Sequence, residues 1–190
     1  MKKETWILVG GALIIGILVG ILLSKGGKPS PATVAQSSPQ AAPVVDYQRD
    51  IAMLEQVVAR EPENRNAWIQ LGNLYFDSDQ PIKSVESYDK ALAIDNRDPN
   101  VLTDQGVMFR RLGWFDKAVE NFTKAVAIQP NHLQAYYNLG IVYRYDLQNF
   151  DAAKTAWEKY LSMNPTGPGA DQVREQMQFL TTHPPVSQNK

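Results

Sequence analysis

The sequence predicts an all-α protein, an array of paired amphipathic helices carried behind one membrane-spanning helix. Three observations predict it: an uncharged apolar run near the N-terminus, a Pro-, Ala-, Ser- and Gln-rich stretch after it, and a remainder that repeats itself every 34 residues. With 190 residues and 44% hydrophobic content, the chain can bury one ordinary core beside such extras. Its formal net charge of -1 supplies no basic field to attract nucleic acid. The absence of cysteine removes disulfides, thiol catalysis and cysteine-ligated metals, without fixing a compartment.

Residues 1–23 read as a short cytoplasmic tail and an anchor. Trp6 to Leu23, "WILVGGALIIGILVGILL", carries no charge. As a helix it is about 27 Å long, enough for a bilayer core. A signal peptide has a shorter apolar core and a small-x-small cleavage site, and neither is present here. Lys2 and Lys3 before the span balance Lys25 and Lys28 after it, so charge leaves the orientation open. The five-residue leading tail resembles the start of a signal peptide, which favours export of the rest. Ala12, Gly16 and Gly20 form a small-residue stripe through which two spans can pair, so a homodimer is one expectation. Residues 24–45 have four prolines and hardly any large apolar side chain, and read as a flexible tether.

Residues 46–181 read as the helix array. "WIQLGNLY" from Trp68, "LTDQGVMF" from Leu102 and "YYNLGIVY" from Tyr136 start 34 residues apart, and each is followed by a second helical segment, at Ser84, Ala118 and Ala153. The units are a half-unit at 46–64, repeats at 65–98, 99–132 and 133–167, and a capping helix at 168–181. The third repeat carries one extra residue, placed near Asp146 to Asn149. In the capping helix Val173, Met177 and Leu180 share one face while Arg174, Glu175 and Gln178 point away. Only the tail at 182–190 remains. Gly72, Gly106 and Gly140 lie inside helical patterns, where glycine costs up to about 1 kcal/mol against alanine. Close approach of a second helix is the reason to keep them, with Ser84, Ala118 and Ala153 expected as the small partners.

Trp68, Leu71, Gly72 and Tyr75, with Ala118, Phe122, Ala125 and Pro130, resemble the fingerprint of the tetratricopeptide repeat family, W-x2-L-G-x2-Y, A-x3-F and P. Gln105 departs from it, standing where the family has leucine. The resemblance implies a right-handed superhelix of antiparallel helix pairs whose first helices line an inner groove for an extended peptide or a partner helix. The inner positions fall on Asn66, Ile69, Asn73 and Phe76; on Asn100, Thr103, Val107, Arg110 and Arg111; and on Gln134, Tyr137, Asn138, Ile141 and Arg144. Asparagine amides there can bond a ligand backbone, and Arg110 and Arg144 can receive a carboxylate. Where family members that clamp acidic chaperone C-termini have Lys, Asn and Lys, this chain has Ile69, Asp104 and Gln134, so that clamp is not expected.

Catalysis has no motif to support it. The acidic residues are spread over amphipathic helices, His132 and His183 have no companion ligands, and Gly26-Gly27 opens no phosphate-cradling loop. No catalytic, cofactor or metal residue is predicted, nor a nucleic-acid partner or small-molecule substrate. The expected partner is a protein or peptide, beside the membrane itself. The architecture of tail, span, tether and array also resembles accessory repeat proteins of bacterial c-type cytochrome maturation. Ancillary translocon factors and self-associating structural membrane proteins are the alternatives.

Overall fold

The computed structural model describes residues 46–182. The predicted span with Ala12, Gly16 and Gly20, the linker 24–45 and the tail from residue 183 lie outside the described residues. Within them the chain is helical, with no strand. α1 (Tyr47–Arg60) precedes three pairs: α2 (Arg65–Asp77) with α3 (Pro81–Ile94), α4 (Pro99–Arg111) with α5 (Phe115–Ile128), and α6 (Leu133–Ile141) with α7 (Phe150–Met163). A π-helical turn at Val142–Asp146 extends α6, and α8 (Pro168–Thr182) ends the array. Helices pack on their neighbours in sequence, the pattern of a linear stack. No helix among the described residues is long and apolar enough to cross a membrane.

The first helix of each pair starts at a capping side chain, and the three caps, Asn64, Asp98 and His132, are 34 residues apart. Asn64 Oδ1 accepts from the Ala67 amide at 3.1 Å, and Asp98 Oδ1 accepts from Asn100 and Val101 at 3.0 and 3.2 Å. His132 Nδ1 accepts from Ala135 at 3.3 Å. Each cap satisfies backbone donors that the first turn leaves unpaired. Two of them also tie repeats together. Arg65 pairs with Asp98 at 2.7 Å, and His132 Nε2 bonds Asn100 Oδ1 at 3.1 Å. Burial alone would raise the Asp98 pKa, but Arg65 and the two amides outweigh it and hold the carboxyl below its usual range. Because Nδ1 of His132 accepts, its proton sits on Nε2 and the ring is neutral.

The pairs are locked where an aromatic ring of the second helix lies on a glycine of the first. A Cβ added to Gly72 would come within 2.5 Å of the Tyr88 ring, at Gly106 within 2.6 Å of Phe122, and at Gly140 within 2.0 Å of the Trp157 indole. The nearest neighbours of the glycines are therefore these rings, in addition to the small partners expected at Ser84, Ala118 and Ala153. Those residues are fully buried one turn earlier, and Ser84 donates to the Gly72 carbonyl at 2.9 Å. The rings of Tyr88, Phe122 and Trp157 are themselves buried.

The turns within pairs share one construction, a left-handed residue at Asp79 (φ 57°), Gly113 (φ 75°) and Gln148 (φ 53°). The amide that closes each turn reaches back to an aromatic residue's carbonyl, from Gln80 to Tyr75, Trp114 to Phe109 and Asn149 to Tyr143. The third reach is one residue longer, so the extra residue lies between Tyr143 and Asn149, absorbed by the π turn rather than by the loop.

Gln105, the departure from leucine, is buried and satisfied. Its amide donates to Asp89 Oδ1 at 2.7 Å and accepts from Asn121 Nδ2 at 2.7 Å. Asn121 occupies the place of Ser87 and Ala156 in the other pairs, so a polar pair in the second repeat replaces an apolar leucine and its small neighbour.

Three outcomes follow from this packing. Gly106→Ala and Gly140→Ala should each lower unfolding free energy in urea by about 1–3 kcal/mol, the overpacking exceeding alanine's helix preference, and Phe122→Leu should recover part of the Gly106→Ala loss. A higher midpoint for Gly106→Ala alone would show the contact to be loose. Gln105→Leu leaves the Asn121 amide only its long bond to the Leu102 carbonyl, at 3.4 Å, and should cost about 1–3 kcal/mol, while adding Asn121→Ala should restore most of it; an additive pair would disprove the coupling. Burial holds the His132 pKa below its ordinary 6.5, so as pH falls the unfolded chain takes up that proton first and stability drops. His132→Asn keeps a cap without the titration. Its stability relative to the parent should rise as urea midpoints are compared from pH 7.5 down to pH 5, and a pH-independent difference would contradict a neutral capping histidine.

Candidate partner-binding groove

The predicted inner residues lie on the first helices α2, α4 and α6 and, for Arg144, on the π turn that extends α6; α8 packs beside them. Tyr137 donates to Gln172 at 3.0 Å. Arg144 bonds Gln176 and lies between the Tyr145 and Phe179 rings at 4.8 and 4.9 Å. α8 therefore relates to α6 as a fourth first helix. Its Val173, Met177 and Leu180 pack into the core with Ile141, and Arg174, Glu175 and Gln178 are exposed.

The open residues lie on the first two repeats and at Gln134, where the third begins. Asn66, Asn73, Asn100 and Gln134 are exposed, while Ile69, Phe76 and Val107 are half-buried, which leaves polar amides beside apolar patches. Thr103 does not join them. It is buried, with 2% exposure, and its hydroxyl donates to the Pro99 carbonyl one turn back, so it presents nothing to a ligand. Asn73 Oδ1 accepts from the Tyr88 hydroxyl at 2.7 Å. Asn138 is half-buried, its Nδ2 without a hydrogen-bond partner.

The arginines expected to receive carboxylates are engaged by the protein itself. Arg110 forms a two-pronged ion pair with Asp146, the last residue of the π turn. Arg111 pairs with Asp79 at 3.1 Å and stacks on Phe76 at 4.9 Å. Arg144 is held by Gln176. Sequence reasoning missed Asp146, because its reach to Arg110 depends on the π turn, and it missed Gln172, Gln176 and Phe179, because α8 was read only as a cap.

A cleft of about 250 Å³ opens between α2, α3 and α4, lined by Asn73, Phe76, Asp77, Tyr88 and Asp104. Asp104 is half-buried; burial, with Asp98 and Asp77 adding repulsion, pushes its pKa up to about 6. Burial and the facing Asp104 hold the Tyr88 phenol protonated. No ion pair among the described residues involves Asp77 or Asp104.

Comparison with known proteins bears on this geometry. Two family models match, described as tetratricopeptide repeat over residues 66–98 and 133–166 and as TPR repeat over residues 106–144. A probable UDP-N-acetylglucosamine–peptide N-acetylglucosaminyltransferase SPINDLY from Hordeum vulgare is 30% identical over 114 residues, 55% of this chain and 12% of its own length. The Aspergillus fumigatus heat-shock cognate co-chaperone sgt12 is 27% identical over 103 residues, 54% of this chain and 30% of its own. The chain thus spans less than a third of either relative. Among solved structures, MamA superposes with a TM-score of 0.64 at 24% identity, covering 70% of this chain and 80% of its own. YrrB, described as a TPR protein with an unusual peptide-binding site, gives 0.63 at 22%, covering 68% and 66%. The first TPR of Spaghetti (RPAP3), bound to the HSP90 peptide SRMEEVD, gives 0.56 at 26%, covering 62% and 93%. With the 34-residue caps, the glycine–ring locks and these matches together, the chain carries tetratricopeptide repeats within residues 66–166.

Proposed function

We propose that the array is a non-enzymatic adaptor that holds an extended peptide or partner helix on the face of its first helices, near a membrane to which residues 6–23 anchor it. The observation that carries this reading is the recurrence of open amide and apolar side chains in one register, Asn66, Ile69, Asn73 and Phe76 on α2 with Asn100 and Val107 on α4. Peptide binding by YrrB and the RPAP3 repeats supports a protein partner for this fold. The span's length and lack of charge support anchoring, and the short leading tail supports an exported array. Assisting the assembly or maturation of another protein is the role that tether and groove together suit, with c-type cytochrome maturation and the export translocon as its specific forms. Self-association through Ala12, Gly16 and Gly20 is the competing structural reading.

Photocrosslinkers placed at the exposed Asn66 and Gln134, and at the exposed Lys124 on α5 as a control, should separate these readings in native membranes. The groove predicts one protein species joined from Asn66 and Gln134 and not from Lys124. Equal capture from all three positions would remove the groove. Crosslinked homodimers that disappear on Gly16→Leu would establish self-association instead.

A further inference from the structure

The face of the first helices holds five charged side chains near its centre, and their pairing is lopsided. Arg110 and Arg111 have anionic partners within the chain, Asp146 and Asp79, and Arg144 is spent on Gln176 and two rings. The carboxylates Asp77 and Asp104, which share the cleft between α2, α3 and α4, have no cationic partner among the described residues.

Both sit where local physics disfavours them. Asp77 ends α2, at the negative end of its helix dipole, and Asp104 is half-buried facing Asp77 and Asp98. A side chain that breaks local rules without compensation in the free protein is expected at a functional position. The cleft adds a hydrogen-bonded floor, Tyr88 to Asn73, and a wall, the Phe76 ring. An apolar stem lying along Phe76 with a cationic tip at two carboxylates matches that lining.

We infer that this cleft is the specificity pocket of the groove and takes a lysine or arginine side chain of the partner peptide. The inference rests on the groove reading above and deepens it. The pocket selects for positive charge, the opposite of what Arg110 and Arg144 suggest from sequence.

The test is selection of a displayed library of random dodecapeptides on the full chain in mild detergent, against the parent and against Asp104→Asn. The parent should enrich peptides with a Lys or Arg at a fixed place. Replacing that residue by norleucine should weaken binding about tenfold or more, and Asp104→Asn should do the same. On Asp104→Asn the norleucine exchange should lose most of its effect, a coupling that a merely structural role of Asp104 would not produce. In the unbound protein at pH 7, Asp104→Asn should raise the melting temperature, since it removes an uncompensated charge. Enriched peptides that crosslink from Asn66 but lack a basic residue, or bind Asp104→Asn equally, would overturn the pocket and leave the groove standing. A lower melting temperature for Asp104→Asn would also overturn the pocket. If no peptide crosslinks from Asn66, both readings fall.

Discussion

The structure depends on one contact made three times, an aromatic ring of a second helix seated on the backbone of a first helix where no Cβ intervenes. Tyr88 on Gly72, Phe122 on Gly106 and Trp157 on Gly140 set how closely each pair can approach. A helix axis cannot come that near across an alanine without pushing the ring, so glycine's loss of helix propensity is offset by dense packing. Everything else adjusts around the contact. The small residue one turn before each ring is fully buried, and the ring sizes differ without changing the pairing.

Between pairs a different interaction takes over. The capping residues of α4 and α6 satisfy their own helices and also reach back to the preceding repeat, Asp98 to Arg65 and His132 to Asn100. One side chain thus serves local and inter-repeat structure, and the 34-residue period of the caps fixes the period of the links. The third repeat tolerates an extra residue because the insertion falls between Gly140 and Trp157, where a π turn absorbs it and leaves both ends of the lock in place. The same turn delivers Asp146 to Arg110, so the irregularity also changes the charge of the inner face.

Much of the stack was legible because its determinants are local and periodic. Gly72, Gly106 and Gly140 at one spacing, each followed by a small residue and an aromatic one, reveal paired helices before any contact is known. What pressed on the glycines was not legible, since Ser84 and Tyr88 both lie on the buried face and only geometry chooses between them. Thr103 was misplaced for a related reason. Its position belongs to the inner set by register, but it back-bonds to Pro99 and sinks into the core. The arginine pairings were hidden because Arg110 and Asp146 are brought together by a register shift that the repeat pattern does not contain. Gln105 was visible as a departure, yet its meaning required Asn121, sixteen residues away on the next helix.

The charges of the inner face connect the stability of the array to its use. A repeat stack gains little from long-range order, so each unit must be nearly self-sufficient and can carry few unfavourable groups. In the second repeat one polar substitution, Gln105, is fully compensated by Asn121 and Asp89, which shows that this repeat can bury polarity when partners are supplied. Asp104 lies one residue before it on the same helix and received none. The contrast within one helical turn argues against general tolerance of polar groups at this point in the stack. It argues instead that Asp104 is placed for a counter-charge that the described residues do not supply.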